Sequence, residues 1–358
     1  MSYSERINKV RLMMKEKDIC AVYVSSPENV FYLSGFTGFG DARLFITKEK
    51  AAIITDSRYM LQVKEQCPDY ELILSWALNV GAIEKVVQEE QVNVIAFEES
   101  ITYKSFCELQ TKYRDISFVT IGDFFTVIRD IKNEFEIKNI SEACRISVEA
   151  LTEVLPLIKP GVFEADISTE IEYLMKKKGA QDKAFDIIVA SGKRSALPHG
   201  VASYKKIEYS DPVTIDFGCK YNNYCSDMTR TFFVGKPTVE MQKIYDIVLE
   251  AQLAALEGYE LGITGKELDT ISREIISKAG YGECFGHSLG HGVGIEIHEG
   301  VTIGQRNDKK IEKGMVFSVE PGIYIENVGG VRIEDLVFAE ESGIKNLTDS
   351  FDKKMLVL

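Results

Sequence analysis

Apolar residues recur every three to four positions through SERINKVRLMMKEKD (residues 4–18), which predicts an amphipathic helix with Ser4 as its N-cap. The runs CAVYVSS (20–26) and KAAIITDSRY (50–59) are short, apolar and partly β-branched, and predict strands. Helix and strand alternating through the first third of the chain point to a small α/β domain. SGFTGFGDAR (34–43) carries G-x-x-G-x-G, but the spacing is wrong for a dinucleotide fingerprint and no long helix follows, so it is expected to be a turn between strands. Around FFTVIRDIKNEFEIKNI (124–140) the strand pattern gives way to charged helical periodicity. That change sets a boundary near residue 130, with domains at 1–130 and 131–358, as expected for a length of 358 residues that exceeds the usual size of one core.

The second domain contains a faint repeat. Gly161 opens GVFEADISTEIEYLMKKKGA and, 101 residues later, Gly262 opens GITGKELDTISREIISKAGY. Both are amphipathic helices of matched length that close at Gly179 and Gly280, and the same offset aligns Glu149-Ala150 with Glu250-Ala251. Each half then runs into strands. The expectation is an α+β domain of two related halves about a pseudo-twofold axis.

Those strands carry carboxylates. PVTIDFGCKYNNYCSDMTRTFFV (212–234) has Asp216 at the end of a β-branched run and Asp227 eleven residues on, a spacing that suits facing positions across a hairpin. GMVFSVEPGIYIENVGGVRIEDLVF (314–338) has Glu320 and Glu334 in comparable strands. Acidic residues are depleted in strands, and buried carboxylates must be paired, protonated or bound to a metal. Arg230 and Arg332 could satisfy one of them. Four carboxylates distributed over two halves point instead to a shared metal site.

Charge and composition narrow the function. A formal net charge of −13 argues against nucleic-acid or anionic-membrane partners. No apolar run is long enough to span a bilayer and the first residues lack a signal-peptide stretch, so a soluble cytoplasmic protein is expected. Seven cysteines without a C-x-x-C pair are expected to be reduced, buried thiols, Cys219 and Cys225 being the closest pair.

Three of the four histidines, His287, His291 and His298, crowd around GHSLGHG (286–292). Its first five letters fit the G-x-S-x-G nucleophile elbow, with Ser288 as nucleophile. That motif requires a helix after the serine and a later acid and histidine, whereas LGHGVGIEIHEG is glycine-rich and then strand-like. Nor does His298-Glu299 begin an H-E-x-x-H motif, because residue 302 is threonine. The loop is better explained as backbone that bends tightly and presents imidazoles to a metal.

TIDFG, SDMTRTFFVG, GHSLGHGVGIEIHE, EKGMVFSVEPGIYI and GGVRIEDL occur in this order. In them the chain resembles the Xaa-Pro peptidases, the prolidase and aminopeptidase P group of the pita-bread metallopeptidases. NVFYLSGFTG and ITDSRY resemble that group's creatinase-like N-terminal domain. The resemblance implies a smaller creatinase-like α/β domain followed by a pita-bread catalytic domain. It also implies a homodimer, and a dinuclear metal site made by Asp216, Asp227, His291, Glu320 and Glu334. The implied reaction is hydrolysis of the Xaa-Pro bond of dipeptides or peptide N-termini by a metal-bridging water or hydroxide. Glu320 would be both ligand and proton acceptor. His298 would steady the oxyanion or shuttle the proton. His199 and His287 would line the substrate pocket, His199 also as a catalytic group, with Tyr324 and Arg332 ordering the site. One imidazole among oxygen ligands points to manganese, with cobalt, iron or zinc as alternatives.

One departure stands out. Many members of the group have proline soon after the H-E pair, and some dipeptidases an arginine for the substrate's terminal carboxylate, whereas this chain reads IHEGVTIGQR, with Gly300, Val301 and Thr302. Dipeptidase and aminopeptidase therefore both stay open, and the simpler expectation for Arg306 is a solvated loop arginine. Three further readings are a methionine-aminopeptidase-like or broader aminopeptidase, a metal-free member acting on creatine-like substrates, and a non-catalytic peptide-binding module. The long N-terminal domain argues against the first, and the complete carboxylate set against the other two.

Overall fold

In the computed structural model, residues 3–358 are described. Contacts divide the chain between Phe125 and Thr126 into two units.

The first unit is built on a six-stranded sheet. From one edge to the other, its strands are Glu71–Leu74, Ala51–Thr55, Arg43–Thr47, Ala21–Val24, Val94–Phe97 and Ser117–Thr120. The pairs that involve Arg43–Thr47 are antiparallel and the rest are parallel. Ala21–Val24 and Ala51–Thr55 are wholly buried, which matches their apolar text. Two local expectations are corrected. The first helix is described from Tyr3, so Ser4 lies inside it, and its hydroxyl donates to Asp69 instead of capping. The glycines of SGFTGFGDAR join a helix to a strand: Gly35, at φ 77°, ends the helix Pro27–Ser34 in the left-handed region, and the next strand starts at Arg43.

The second unit shows the repeat in its backbone. Helix Glu164–Lys177 and helix Gly265–Lys278 are both 14 residues long and stand at the same offset as their glycines. Gly161 and Gly262 have φ of 91° and 89°, and Gly179 and Gly280 have φ of 105° and 92°. A Cβ at any of the four would meet no atom within 4 Å, so backbone conformation, not space, is what calls for glycine there. The longer helices Glu134–Val154 and Val239–Glu257 precede them. Each half closes its own apolar core, one around Ile146, Leu151, Val189 and Ile215, the other around Ile244, Val248, Phe317 and Val337.

The antiparallel sheets of these halves carry the acidic residues. Met228–Phe233, Pro212–Phe217 and Ile188–Ser191 form the first, and Val316–Val319, Asp335–Glu340 and Gly343–Asn346 the second. Between Pro212–Phe217 and Met228–Phe233 the chain makes a small hairpin that turns at Asn222-Asn223, both with positive φ. Because of it, Asp216 sits across from Thr229 and Asp227 falls two residues short of facing it, one residue beyond the end of the ladder. Glu320 and Glu334 are likewise at strand ends: Glu320 directly follows Val316–Val319, and Glu334 lies between Gly329–Arg332 and Asp335–Glu340. Strand ends let a carboxylate turn toward a common point while its neighbours stay in the apolar layer.

Candidate metal centre

Asp227, His291 and Glu334 offer ligand atoms that all lie within 4.8 Å of one another. His291 is delivered by the two-residue ladder Gly290–His291 with Thr302–Ile303. Gly290 is required there by close approach, since a Cβ would lie 1.9 Å from the carbonyl oxygen of Ser318. Gly290→Ala is therefore expected to displace His291 and lower metal affinity, measurable as metal content after gel filtration. Ser318 fixes the same corner: its hydroxyl accepts from the His291 backbone N–H at 3.0 Å and donates to Glu320 Oε1 at 3.0 Å.

The imidazole of His291 is oriented by a hydrogen bond from Nδ1 to the carbonyl oxygen of Gly292, 3.2 Å away. A carbonyl only accepts, so Nδ1 carries the proton and Nε2 presents a bare lone pair. That lone pair faces Glu320 Oε1 at 3.3 Å and Asp227 Oδ2 at 3.6 Å. Burial lowers the pKa of His291, so a proton on Nε2 is disfavoured. Acceptors aimed at one another in this way need either a shared proton or a cation.

The carboxylates state the same need. Burial, then the charges of Glu334, Asp216 and Glu320, pushes Asp227 well above the ordinary range. Burial and neighbouring Glu320 and Asp216 do the same to Glu334, whose Oε2 accepts from Thr229 Oγ1 at 2.6 Å. Burial raises Glu320 to about 7 against the opposing pull of Arg332. Asp216 Oδ2 is paired with Arg332 Nη2 at 2.6 Å, but its Oδ1 is buried without a hydrogen-bond partner. An orphaned carboxylate oxygen, a bare imidazole nitrogen and three carboxyls that burial drives toward protonation fit divalent cations.

Arg230 takes no part in this balance. It donates to Asp335 Oδ1 at 2.8 Å, and together with Lys353 it holds Asp335 well below the usual range although burial acts the other way. Among the described residues Arg332 is the single arginine paired with a carboxylate of the acidic cluster, and it starts a chain of hydrogen bonds. Its Nη1 donates to the Tyr324 hydroxyl at 2.8 Å, and that hydroxyl lies 2.9 Å from His287 Nε2. His287 Nδ1 is 2.8 Å from the carbonyl oxygen of Ser288 and so bears the proton, which leaves Nε2 to accept from Tyr324. Burial lowers His287 to about 4 and keeps it neutral.

A cavity of about 480 Å³ contains all five residues named as ligands, together with His199, His287, His298 and Arg332. Tyr324 stands behind His287 and Arg332, hydrogen-bonded to both. His298 lies beside His291 with ring centroids 4.1 Å apart and planes tilted by 58°, and partial burial plus His291 lowers its pKa. His199 is exposed at the cavity wall. Glu299 turns away from it to a buried ion cluster with Arg129 and Lys132, 3.0 Å from the lysine. Among the described residues no helix follows Ser288, and no hydrogen bond joins its hydroxyl to a histidine. Ser288→Ala is expected to keep turnover within about threefold, against the loss of about 10⁶ that follows removal of a true catalytic serine; labelling by a serine-directed phosphonate would contradict this.

Residues 138–341 match the model of metallopeptidase family M24, and residues 6–131 that of the creatinase/prolidase N-terminal domain. The chain belongs to metallopeptidase family M24. An M24 peptidase with a creatinase-type domain ahead of its pita-bread domain is thus the architecture of the whole chain. It is similar to a solved Xaa-Pro dipeptidase from Bacillus anthracis, at 42% identity and TM-score 0.96 over 100% of both chains. It is also similar to an X-Pro aminopeptidase from Thermotoga maritima, at 40% identity and TM-score 0.92 over 98% of this chain and 99% of the other. The Xaa-Pro dipeptidase of Pyrococcus horikoshii is 41% identical over 96% of this chain and 97% of its own. A dipeptidase and an aminopeptidase are thus similar to this M24 chain to almost the same degree.

Thr229 and Ser318 escaped the sequence reading. Each is a hydroxyl residue in a strand, and its link to Glu334 or Glu320 exists only once the sheets are packed.

Proposed function

We propose that this M24 peptidase hydrolyses the Xaa-Pro bond at the N-terminus of short peptides, using two divalent ions held by Asp216, Asp227, His291, Glu320 and Glu334. The observation that carries the reading is the bare Nε2 of His291 facing a ring of acidic oxygens inside a cavity of peptide size. Names of the relatives add the Xaa-Pro preference. The wall made by Phe185, Ile188, Val201 and Ile297 supplies apolar surface for a pyrrolidine ring, which has no N–H to grip. When bound, the ions acidify water and polarise the scissile carbonyl. An oxygen-rich set with one imidazole favours manganese over zinc.

Glu320 is the proton acceptor for the attacking water, and the Ser318 hydroxyl, which donates to Oε1, holds it in place. His298 is neutral at pH 7 and donates an N–H toward the oxygen on which charge develops. His199 and His287 line the substrate pocket. Arg332, held by Thr229, Pro198 and Asp216, fixes Tyr324, which in turn fixes His287. A homodimer in the cytoplasm completes the proposal; all seven thiols are free, which suits a reducing compartment, and sedimentation of the purified chain tests the assembly.

The decisive experiment loads the purified chain with manganese, cobalt or zinc and compares Ala-Pro, Ala-Pro-Ala and Met-Ala-Ala. Cleavage after the first residue of the proline peptides is expected, and equal or faster release of methionine would overturn the specificity. His298→Ala should retain its metal while kcat falls by about a hundredfold or more, as when a proton shuttle or oxyanion donor is lost. Loss of metal in that variant would instead make His298 a ligand.

A further inference from the structure

A second cavity, of about 1150 Å³, opens beside the metal centre, and the two share a wall made by His287, Ser288 and Thr302. We propose that this outer cavity is a subsite for the C-terminal stretch of a longer peptide, whose terminal carboxylate is met by Arg306 and Lys310. The inference rests on the peptidase reading above and deepens it: the preferred substrate is longer than a dipeptide and ends in a free carboxylate.

Three observations carry it. The inner cavity has no free cation for a dipeptide's own carboxylate. Its one arginine or lysine among the lining residues is Arg332, and every nitrogen of that guanidinium is committed: Nε to Thr229, Nη1 to Pro198 and Tyr324, Nη2 to Asp216. The ions proposed there are balanced by the four carboxylates, which leaves no side-chain cation for a further one. The outer cavity has the opposite character. Arg273, Arg306, Lys309 and Lys310 line it against Asp130 and Glu312, in a chain whose net charge is −13. Arg273 is engaged with Asp269, but Arg306 is exposed, and neither it nor Lys310 has an ion-pair partner within 4 Å among the described residues. The connection between the cavities is also built by the metal centre itself. Thr302 pairs directly with His291 in the short ladder, so the strand that follows the junction leads from the ligand into the loop that carries Arg306, Lys309 and Lys310. A peptide whose scissile bond lies against His291 and Glu320 can therefore extend past Thr302 into basic surroundings, at about 3.3 Å per residue.

The test uses Ala-Pro, Ala-Pro-Ala and Ala-Pro-Ala-Ala-Ala as free acids, and the pentapeptide also as its C-terminal amide, on the manganese-loaded enzyme. Expected are a rise of at least tenfold in kcat/KM from dipeptide to pentapeptide acid and a loss of at least fivefold on amidation. Arg306→Glu should reduce the pentapeptide-to-dipeptide ratio at least tenfold, while Arg306→Lys keeps most of it. A dipeptide cleaved as well as the pentapeptide, or an acid and amide that behave alike, would overturn the subsite. Calorimetric binding of the pentapeptide acid and amide to the chelator-treated protein separates the two claims. If no proline peptide is cleaved with any metal, the cleavage reading falls, and the subsite still stands when the acid binds more tightly than the amide and Arg306→Glu erases the difference; equal binding of the two ends it.

Discussion

Asp227→Ala is expected to leave a folded protein that cannot hold its full complement of metal and turns over about a thousandfold more slowly, or worse. Metal catalysis contributes several kcal/mol to the transition state, and each 1.36 kcal/mol is a factor of about ten in rate. The expectation depends on what Asp227 lacks. Its carboxylate is buried 3.6 Å from His291 Nε2, and among the described residues no lysine or arginine lies within ion-pair distance of it; Arg230 is engaged with Asp335 and Arg332 with Asp216. Without a cation its charge is held among like charges, so its removal should cost the metal-free fold nothing and can even stabilise it. Two measurements then separate a ligand from a structural carboxylate. In chelator the variant should melt no lower than the parent protein; in excess manganese the parent should rise in melting temperature while the variant stays behind. Elemental analysis gives the ion count directly. Full metal content with normal turnover would remove Asp227 from the site.

The parts of this molecule that were legible in the sequence are those set by local rules. The paired helices, with Gly161, Gly262, Gly179 and Gly280 at their ends, follow from periodicity and from backbone that only glycine adopts readily. The acidic residues stood out because strand text rarely tolerates them, and the structure gathers Asp216, Asp227, Glu320 and Glu334 around one cavity. Their immediate partners were not legible. Arg230 and Arg332 looked equivalent in the sequence, yet Arg230 serves Asp335 and Arg332 serves Asp216. The choice is made by sheet packing between residues more than a hundred positions apart. The same limit hid Thr229, Ser318 and the buried cluster that joins Arg129 and Lys132 to Glu299. Ser4 failed for a different reason: a capping residue type does not fix where a helix begins when the preceding residue can enter it too.

Removing the metals is expected to abolish turnover, and the loss of stability that accompanies it should grow with pH above about 6.5. Metal present at a thousandfold excess over its dissociation constant stabilises the folded chain by about 4 kcal/mol. The pH dependence follows from the groups left behind. In the metal-free protein, burial raises Asp227 and Glu334 well above the ordinary range and Glu320 to about 7. Folded carboxyls with raised pKa values hold protons that the unfolded chain has already released, so stability falls as pH rises from the unfolded value through the folded one. His287, His291 and His298 act in the opposite sense, because burial lowers them all. Below their unfolded value, about 6.5, the unfolded chain takes up protons that the folded one refuses, and stability increases with pH until that value is passed. The two groups oppose each other between about pH 4.5 and 6.5; above that only the carboxyls still titrate, and the metal-free melting temperature should decline toward pH 8. With metal bound, cations replace the protons and the decline should disappear, so metal uptake at pH 7 should release protons. Melting curves across this range, and calorimetry in two buffers of different ionisation enthalpy, measure both effects. A metal-free melting temperature that holds or rises from pH 6.5 to 8, with no proton release on metal uptake, would mean that these carboxyls do not share one site in need of positive charge.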